Sequence, residues 1–372
     1  MSNKAVRFFG PVRNHTGYGN AVGNFALAFS KSSIDTKFCF SEKDTKSNKD
    51  LISRLKVYNG SCGIDFYIHP PPWDRHKSSN YKIGYFYWEA DRLPSFWIKK
   101  INSVNELWVP CNLVRKACIS AGFKGPIEVL PTPIEQWESS ERVLIPSPHD
   151  EGLCISDNIF KFYSIFQWHH RKGPDILLKT YWDEFGINDN VVLILKVNPL
   201  SKSSVSAIKN DIYNIKRSMK RKYYAPVYII DNIVSVEKIR AIHDLCHAYV
   251  SPHRGEGWGL PIHDAMYSGN NVIVTKFGGI TEFLSNRNSN IITHHIVPVT
   301  NMDWSPYIYN RSQKWAKPSK ISLSSQMREV YDKYNSKTMC LKREKARELA
   351  LSMSIDSVSK KIEKLLRRGR SV

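Results

Sequence analysis

The chain has 372 residues, two to three times the ~100–150 of a typical domain, which makes two domains the expectation and excludes a peptide-scale or purely fibrous protein. Hydrophobic residues make up 42% and charged residues 24%, the balance of a globular chain and not of a disordered one. Lys and Arg number 54 against 34 Asp and Glu, a net charge of +20, and such a field concentrates anions, so an anionic partner is expected. The excess is uneven: residues 1–155 hold 20 cationic against 15 acidic side chains, and residues 156–372 hold 34 against 19. No stretch approaches the ~18–20 apolar residues of a membrane span, and Met1–Arg7 lacks the apolar core of a signal peptide, so a cytoplasmic protein is expected. The seven cysteines are scattered without a C-x-x-C pair, which favours reduced thiols over a disulfide framework or a zinc ribbon.

In chain order, Val6–Phe9 reads as a strand that runs into a glycine loop, Asn14–Asn20, before a helix marked by Ala21, Val22, Phe25, Ala26 and Phe29. Short apolar runs then recur at Asp65–Ile68, Lys82–Phe86, Glu106–Pro110 and Ile127–Leu130. Strands that alternate with helices imply a parallel sheet covered on both faces. Between Pro131 and Asn158 the pattern lapses into prolines, serines and acids, the composition of a linker. The domains are therefore set at 1–150, 151–335 and a basic helical segment at 336–372, which is free to pack back on the first domain. The second series runs through Phe160–Phe166, a helix from Asp175, Asn190–Val197 and Val227–Ile230. It goes on with a helix near Val236–Cys246, the strand Ala248–Val250, a helix from Gly259 and the strand Asn271–Thr275. Two open, doubly wound α/β domains in series place the binding site in the cleft between them, at the carboxyl ends of the strands.

The richest chemistry lies in Ser251–Gly269. Gly255, Gly257 and Gly259 surround Glu256, so backbone N–H groups can approach a ligand closely, and the helix that follows turns its positive end to the same place. Glu256 and Asp264 are eight residues apart; on a continuous helix that is two turns, and both carboxylates can accept hydroxyl hydrogen bonds from one ligand. Taken alone, the segment is better explained as a glycine turn with a capping acid. Three further features narrow the choice. Gly278, Gly279 and Glu282 form a second glycine loop with an acid just after the next strand, Arg171 and Lys172 stand immediately ahead of a helix, and Gly17 and Gly19 give the first domain its own backbone nest. Each suits contact with a diphosphate.

Together these residues resemble a GT-B glycosyltransferase of the retaining family 4, also called glycosyl transferases group 1. Its hallmark, E-G-x-G-x-P-x-x-E-A-M, reads here Glu256-Gly257-Trp258-Gly259-Leu260-Pro261-Ile262-His263-Asp264-Ala265-Met266. The resemblance extends to Arg171-Lys172-Gly173, Gly278-Gly279-x-x-Glu282, the Gly17–Asn20 loop and Tyr87–Pro94, and so spans nearly the whole chain. It implies two Rossmann-like domains facing a central cleft, a nucleotide-diphosphate sugar as donor and no metal or other cofactor. By position it implies that Lys172 holds the diphosphate, Glu256 touches the sugar hydroxyls and Asp264 binds the ribose. Gly17, Gly19, Gly278 and Gly279 would line the phosphates and sugar. Two positions depart from the family: the second acid is Asp264 in place of Glu, and Gln167 stands where an arginine is usual, which leaves Arg171 to supply the second charge.

Breaking the bond from sugar C1 to the diphosphate builds negative charge on the phosphate, so fixed cations and N–H dipoles lower the barrier. Retention implies that the acceptor hydroxyl attacks on the face the leaving group departs from, with the phosphate taking its proton. Glu89 and Asp91 beside Trp88 orient the acceptor or else form a solvated loop or a domain-contact ion pair, and His15 and His69 are weaker candidates for the same work. His243-x-x-Cys246-His247 has helical spacing but needs no metal to explain it. The acceptor is expected to be a surface glycan or lipid-linked saccharide. A hydroxymethylated base in DNA, as for phage enzymes, is the first alternative, and a non-catalytic polyanion-binding protein the second. The basic runs Lys216–Lys222 and Lys360–Arg370 read either as solvated faces or as contacts to DNA or to an anionic membrane at its periphery.

Overall fold

The computed structural model describes residues 5–12, 16–73, 78–138, 158–198, 204–302, 305 and 307–368. Most of the expected linker, together with Cys154, His15 and Arg370, lies outside them.

The first lobe begins with β1 (Val6–Phe9), α1 (Gly17–Lys31), β2 (Thr36–Cys39), α2 (Glu42–Ser47), α3 (Lys49–Ser53) and β3 (Ile64–Ile68). It continues with β4 (Tyr81–Tyr85), α4 (Ser95–Ile101), β5 (Glu106–Val109), α5 (Asn112–Ser120) and β6 (Ile127–Val129). All its strands are parallel, in the order β2-β1-β3-β4-β5-β6. On one face Phe8 and Phe66 of the sheet cluster with Val22, Phe25 and Phe29 of α1, and on the other Tyr67 clusters with Trp97 of α4 and Val114 and Ala117 of α5. The helix expected after a glycine loop starts earlier: Gly17 and Gly19 form the first turn of α1, because Thr16 caps it by accepting the Gly19 N–H at 3.0 Å.

The second lobe runs β7 (Phe160–Gln167), α6 (Pro174–Glu184), β8 (Val191–Asn198), α7 (Ser204–Met219), β9 (Val227–Ile230), α8 (Val236–Leu245) and β10 (Ala248–Ser251). Then follow α9 (Leu260–Tyr267), β11 (Asn271–Thr275) and β12 (Asn290–Ile292). Its order, β12-β11-β10-β7-β8-β9, is also wholly parallel, the arrangement of a doubly wound dinucleotide-binding sheet with its switch point between β7 and β10. The first seven residues of β8 are all buried, as a central strand covered on both faces requires.

An antiparallel hairpin of β13 (His294–Pro298) and β14 (Lys314–Pro318) leaves the second lobe and reaches the first: Val297, Val299, Met302 and Trp315 share a cluster with Trp88 and Trp97. Helices α10 (Lys320–Asp332) and α11 (Lys337–Leu351) pack on the second lobe, and α12 (Ile355–Arg367) returns to the first. Ser354 caps α12, and Val358, Ile362, Leu365 and Leu366 recur at helical spacing on its buried face against α1. Each such side chain contributes about 1.5–3 kcal/mol on burial. The chain crosses between lobes at Ile134 and again at Ser354. The two crossings are tied by Ile134 N–H to Met353 O at 3.0 Å and Ile355 N–H to Ile134 O at 3.2 Å.

Candidate active site

The loops that follow β7 and β10 meet at the switch point of the second sheet. After β7, a short 3-10 turn, His170–Lys172, presents Arg171 and Lys172, and Gly173 turns the chain into α6 with φ of +75°. Only glycine fits there, since a Cβ would lie 2.2 Å from Pro252 O. After β10, residues 252–259 loop over the sheet edge before α9 starts at Leu260. Glu256 therefore stays in the loop while Asp264 rides on the helix.

Glu256 and Lys172 form an ion pair whose side chains are 11% and 15% exposed. Arg171 Nη1 lies 3.9 Å from the same carboxylate and donates to Gly255 O at 2.6 Å. Burial alone would push the Glu256 carboxyl up, but the Lys172 ammonium and Arg171 guanidinium overcome it and hold it near 2. Burial pulls Lys172 down against the attraction of Glu256. The surrounding imidazoles are neutral: burial, reinforced by the neighbouring cations, lowers His169 to about 2 and His170 to about 4. Fully buried His253 is likewise lowered to about 4 by burial and lies 3.0 Å from Phe277 O.

The glycines let neighbouring loops pack backbone to backbone. A Cβ at Gly278 would lie 2.0 Å from Glu256 O and one at Gly279 2.1 Å from Gly257 O, so this loop packs directly on the Glu256 loop. The Gly279 N–H donates to Glu256 O at 2.7 Å and is thereby committed to holding the acid's backbone. Gly255 and Gly257 allow the same approach across the lobes, where a Cβ would meet Glu89 O at 2.2 Å and Tyr87 Cβ at 2.9 Å. Glu282 is turned to the first lobe: Asn112 donates to its two oxygens, from N–H at 2.7 Å and from Nδ2 at 3.0 Å, at the start of α5.

Of the residues read as acceptor contacts, Glu89 proves to be a domain-contact ion pair. Its Oε1 lies 3.3 Å from Arg171 Nη2, and Tyr309 donates to its Oε2 at 2.7 Å while stacking on Trp88 with centroids 5.1 Å apart. Asp91 anchors the β13–β14 hairpin, accepting the Lys314 N–H at 2.5 Å and donating its own N–H to Lys314 O at 3.1 Å. His69, at the end of β3, lies 2.8 Å from Pro70 O through Nδ1. Gly17 and Gly19, after β1, stand with it at the switch point of the first sheet. Asp264 is pushed up to about 7 by burial and by Glu135, against the pull of Arg240. Arg240 is itself paired with Glu135 at 2.9 Å.

Two participants, Tyr309 and Asn112, were not read from the sequence, nor was a buried lysine at a neighbouring strand end, Lys196. Tyr309 and Asn112 reach the site only through the packing of hairpin and lobes, and nothing in their sequence surroundings announces it. Lys196 did leave a signal, a lysine inside the apolar run Val191–Val197. It is 2% exposed at the carboxyl end of β8, held by Val197 O at 3.1 Å and Asn198 Oδ1 at 2.5 Å, and burial lowers it to about 8.

The described parts of the basic runs have structural partners of their own. Lys216–Lys222 closes α7 and precedes β9, at the amino ends of the strands, and part of it is structural: Lys216 lies over the Trp182 and Tyr224 rings and Arg221 pairs with Asp183 at 2.9 Å. In α12 the apolar face needed for membrane insertion is buried on α1, while Arg367 reaches Ser33 at 2.9 Å and Arg368 reaches Glu128 at 2.7 Å. His243 and His247 face different partners, Tyr163 OH at 2.7 Å and the Lys161 N–H at 2.9 Å. Among the described residues no three His, Cys, Asp or Glu side chains group as a metal site, and no helix is long and apolar enough to cross a membrane.

No family model matches the chain, and no curated protein matches it in sequence. Solved structures do. A glycosyltransferase from Rickettsia africae superposes with a TM-score of 0.69 at 11% identity over 99% of this chain and 98% of its own. OtsA in its apo form gives 0.64 at 10% identity over 99% and 100%. Anabaena HepE in complex with UDP and glucose gives 0.62 at 10% over 98% and 99%. Two parallel six-stranded sheets, each flanked by helices and matched end to end by these glycosyltransferases, give this chain the GT-B fold.

Proposed function

We propose that the protein transfers a sugar, with retention, from a nucleotide-diphosphate sugar to a saccharide hydroxyl on a surface glycan or lipid-linked acceptor. The observation that carries this reading is the convergence of Arg171, Lys172 and Glu256 at the switch point of the second sheet, where a doubly wound sheet binds its ligand. The similarity to HepE bound to UDP and glucose supports the donor class.

In this reading the donor diphosphate takes Lys172, and Glu256 turns to the sugar hydroxyls as a charged acceptor. Lys172 and Arg171 stabilise the negative charge that develops on the departing phosphate; removing one such group costs about 10²–10³ in rate. Asp264, on the first turns of α9, accepts from the ribose. The acceptor hydroxyl loses its proton to the leaving phosphate, so the reaction runs without a protein base, and the two cations supply the charge a metal would otherwise bring. The position of Lys216–Lys222, between α7 and the amino end of β9 and so remote from the cleft, supports a saccharide over DNA as acceptor.

The test is donor turnover by the purified protein with a panel of nucleotide sugars. Release of nucleoside diphosphate, abolished in Lys172→Ala and Glu256→Ala, is expected; equal turnover in both variants refutes the site. Mass spectrometry of DNA from cells with and without the gene checks the acceptor, and a new hexose or pentose on a base would overturn the saccharide reading.

A further inference from the structure

Arg171 offers an incompletely used edge. The residue is 9% exposed, and its Nη1 is taken by Gly255 O. Nε–H and Nη2–H share the opposite edge of the planar guanidinium, the edge that holds two oxygens of one oxyanion in a bidentate pair. Glu89 reaches only Nη2 there, at 3.3 Å, longer than the ~2.7–2.9 Å of a charge-assisted bond. Nε–H is buried and without a partner among the described residues. The second Glu89 oxygen is turned away, toward the Tyr309 hydroxyl at 2.7 Å. An orphaned buried donor is costly, so a ligand that fills the whole edge is favoured over the carboxylate now on half of it.

We propose, resting on the donor-site reading above, that Glu89 is a built-in substitute for the donor's diphosphate. An oxyanion of the nucleoside diphosphate takes Nε and Nη2 of Arg171, and Glu89 leaves Arg171 while Tyr309 retains it. The exchange has a consequence for the lobes. Glu89 follows β4 of the first sheet, Arg171 follows β7 of the second, and Tyr309 comes from the hairpin between β13 and β14. Donor binding therefore breaks an ion pair across the cleft and leaves an uncompensated carboxylate on the first lobe, where the acceptor is expected. Without donor the Glu89–Arg171 pair ties the lobes together, and with donor Glu89 is left to Tyr309 alone.

The experiment is calorimetric titration with uridine, guanosine and adenosine diphosphates against wild type, Glu89→Gln, Arg171→Gln and the double variant. Removing the competing charge is expected to tighten the diphosphate that binds wild type by about tenfold. The gain should vanish in the Arg171→Gln background, since the two side chains act through one contact. Tighter binding cannot be mimicked by misfolding. Equal or weaker binding by Glu89→Gln, or the same gain without Arg171, overturns the exchange and leaves the donor site standing. Failure of wild type to bind any of the three overturns the donor-site reading itself.

Discussion

Replacing Gly278 by alanine tests whether the two glycine loops are a packing device. Gly278 has φ of +98° and ψ of −150°, a region open essentially to glycine alone, where another residue costs about 1–3 kcal/mol. The new Cβ would lie 2.0 Å from Glu256 O, so the loops must part by roughly 1 Å before ordinary contact is restored. That displacement stretches the Gly279 N–H bond to Glu256 O, now 2.7 Å, a contribution of about 0.5–1.5 kcal/mol. The expected loss of stability is about 2–4 kcal/mol. The same shift moves the Glu256 backbone, and a misplacement of ~1 Å can cost on the order of 10² in rate. Gly122→Ala is the comparison, with φ of +82° and nothing within 4 Å of its Cβ, so it carries a positive-φ strain without the collision. Urea unfolding of both variants, with diphosphate titration of each, separates the two effects. If Gly278→Ala matches Gly122→Ala in stability and keeps wild-type affinity, the packing argument fails.

The Lys172–Glu256 pair predicts a non-additive cycle. Removing either partner alone strands a buried charge at a cost of about 3–5 kcal/mol, whereas Lys172→Met with Glu256→Gln should regain much of the melting temperature and none of the donor turnover. In α12, Ile362→Ala or Leu366→Ala, at 0% and 1% exposure, should each lower stability by about 2–5 kcal/mol; a thermal melt within a degree of wild type would show that the helix is not docked on α1. Buried His243, His253 and His263 are lowered by desolvation to about 3, 4 and 4, so below about pH 6.5 the unfolded chain binds more protons than the folded one. Stability should therefore fall with acidification by up to about 1.4 kcal/mol per pH unit for each histidine. Glu256 acts in the same direction: its stabilising contribution is fully present above its ordinary carboxyl value and is lost as pH falls toward about 2. Chemical denaturation that is flat from pH 7 to 4.5 contradicts this.

The alternating strands and helices were legible in the sequence because buried parallel strands are short apolar runs bounded by turns. Val227–Ile230 and Asn271–Thr275 stand in the structure with the limits read from the sequence alone. The same reading marked Arg171, Lys172 and Glu256, since charges beside glycines at strand ends stand out locally. It also marked the last segment as helical, since helical spacing is a property of one segment. What those residues touch depended on strand order and on the meeting of the lobes, and neither leaves a local trace. That Gly278 lets two backbones pass is invisible in sequence; only the distance to the Glu256 carbonyl shows it. Glu89, Glu282 and Asp91 read as ligand contacts because they are acids beside suitable motifs. Their partners, Arg171, Asn112 and the Lys314 backbone, lie 82, 170 and 223 residues away in sequence, and an ion pair or hydrogen bond closed over such a span is decided by tertiary packing alone.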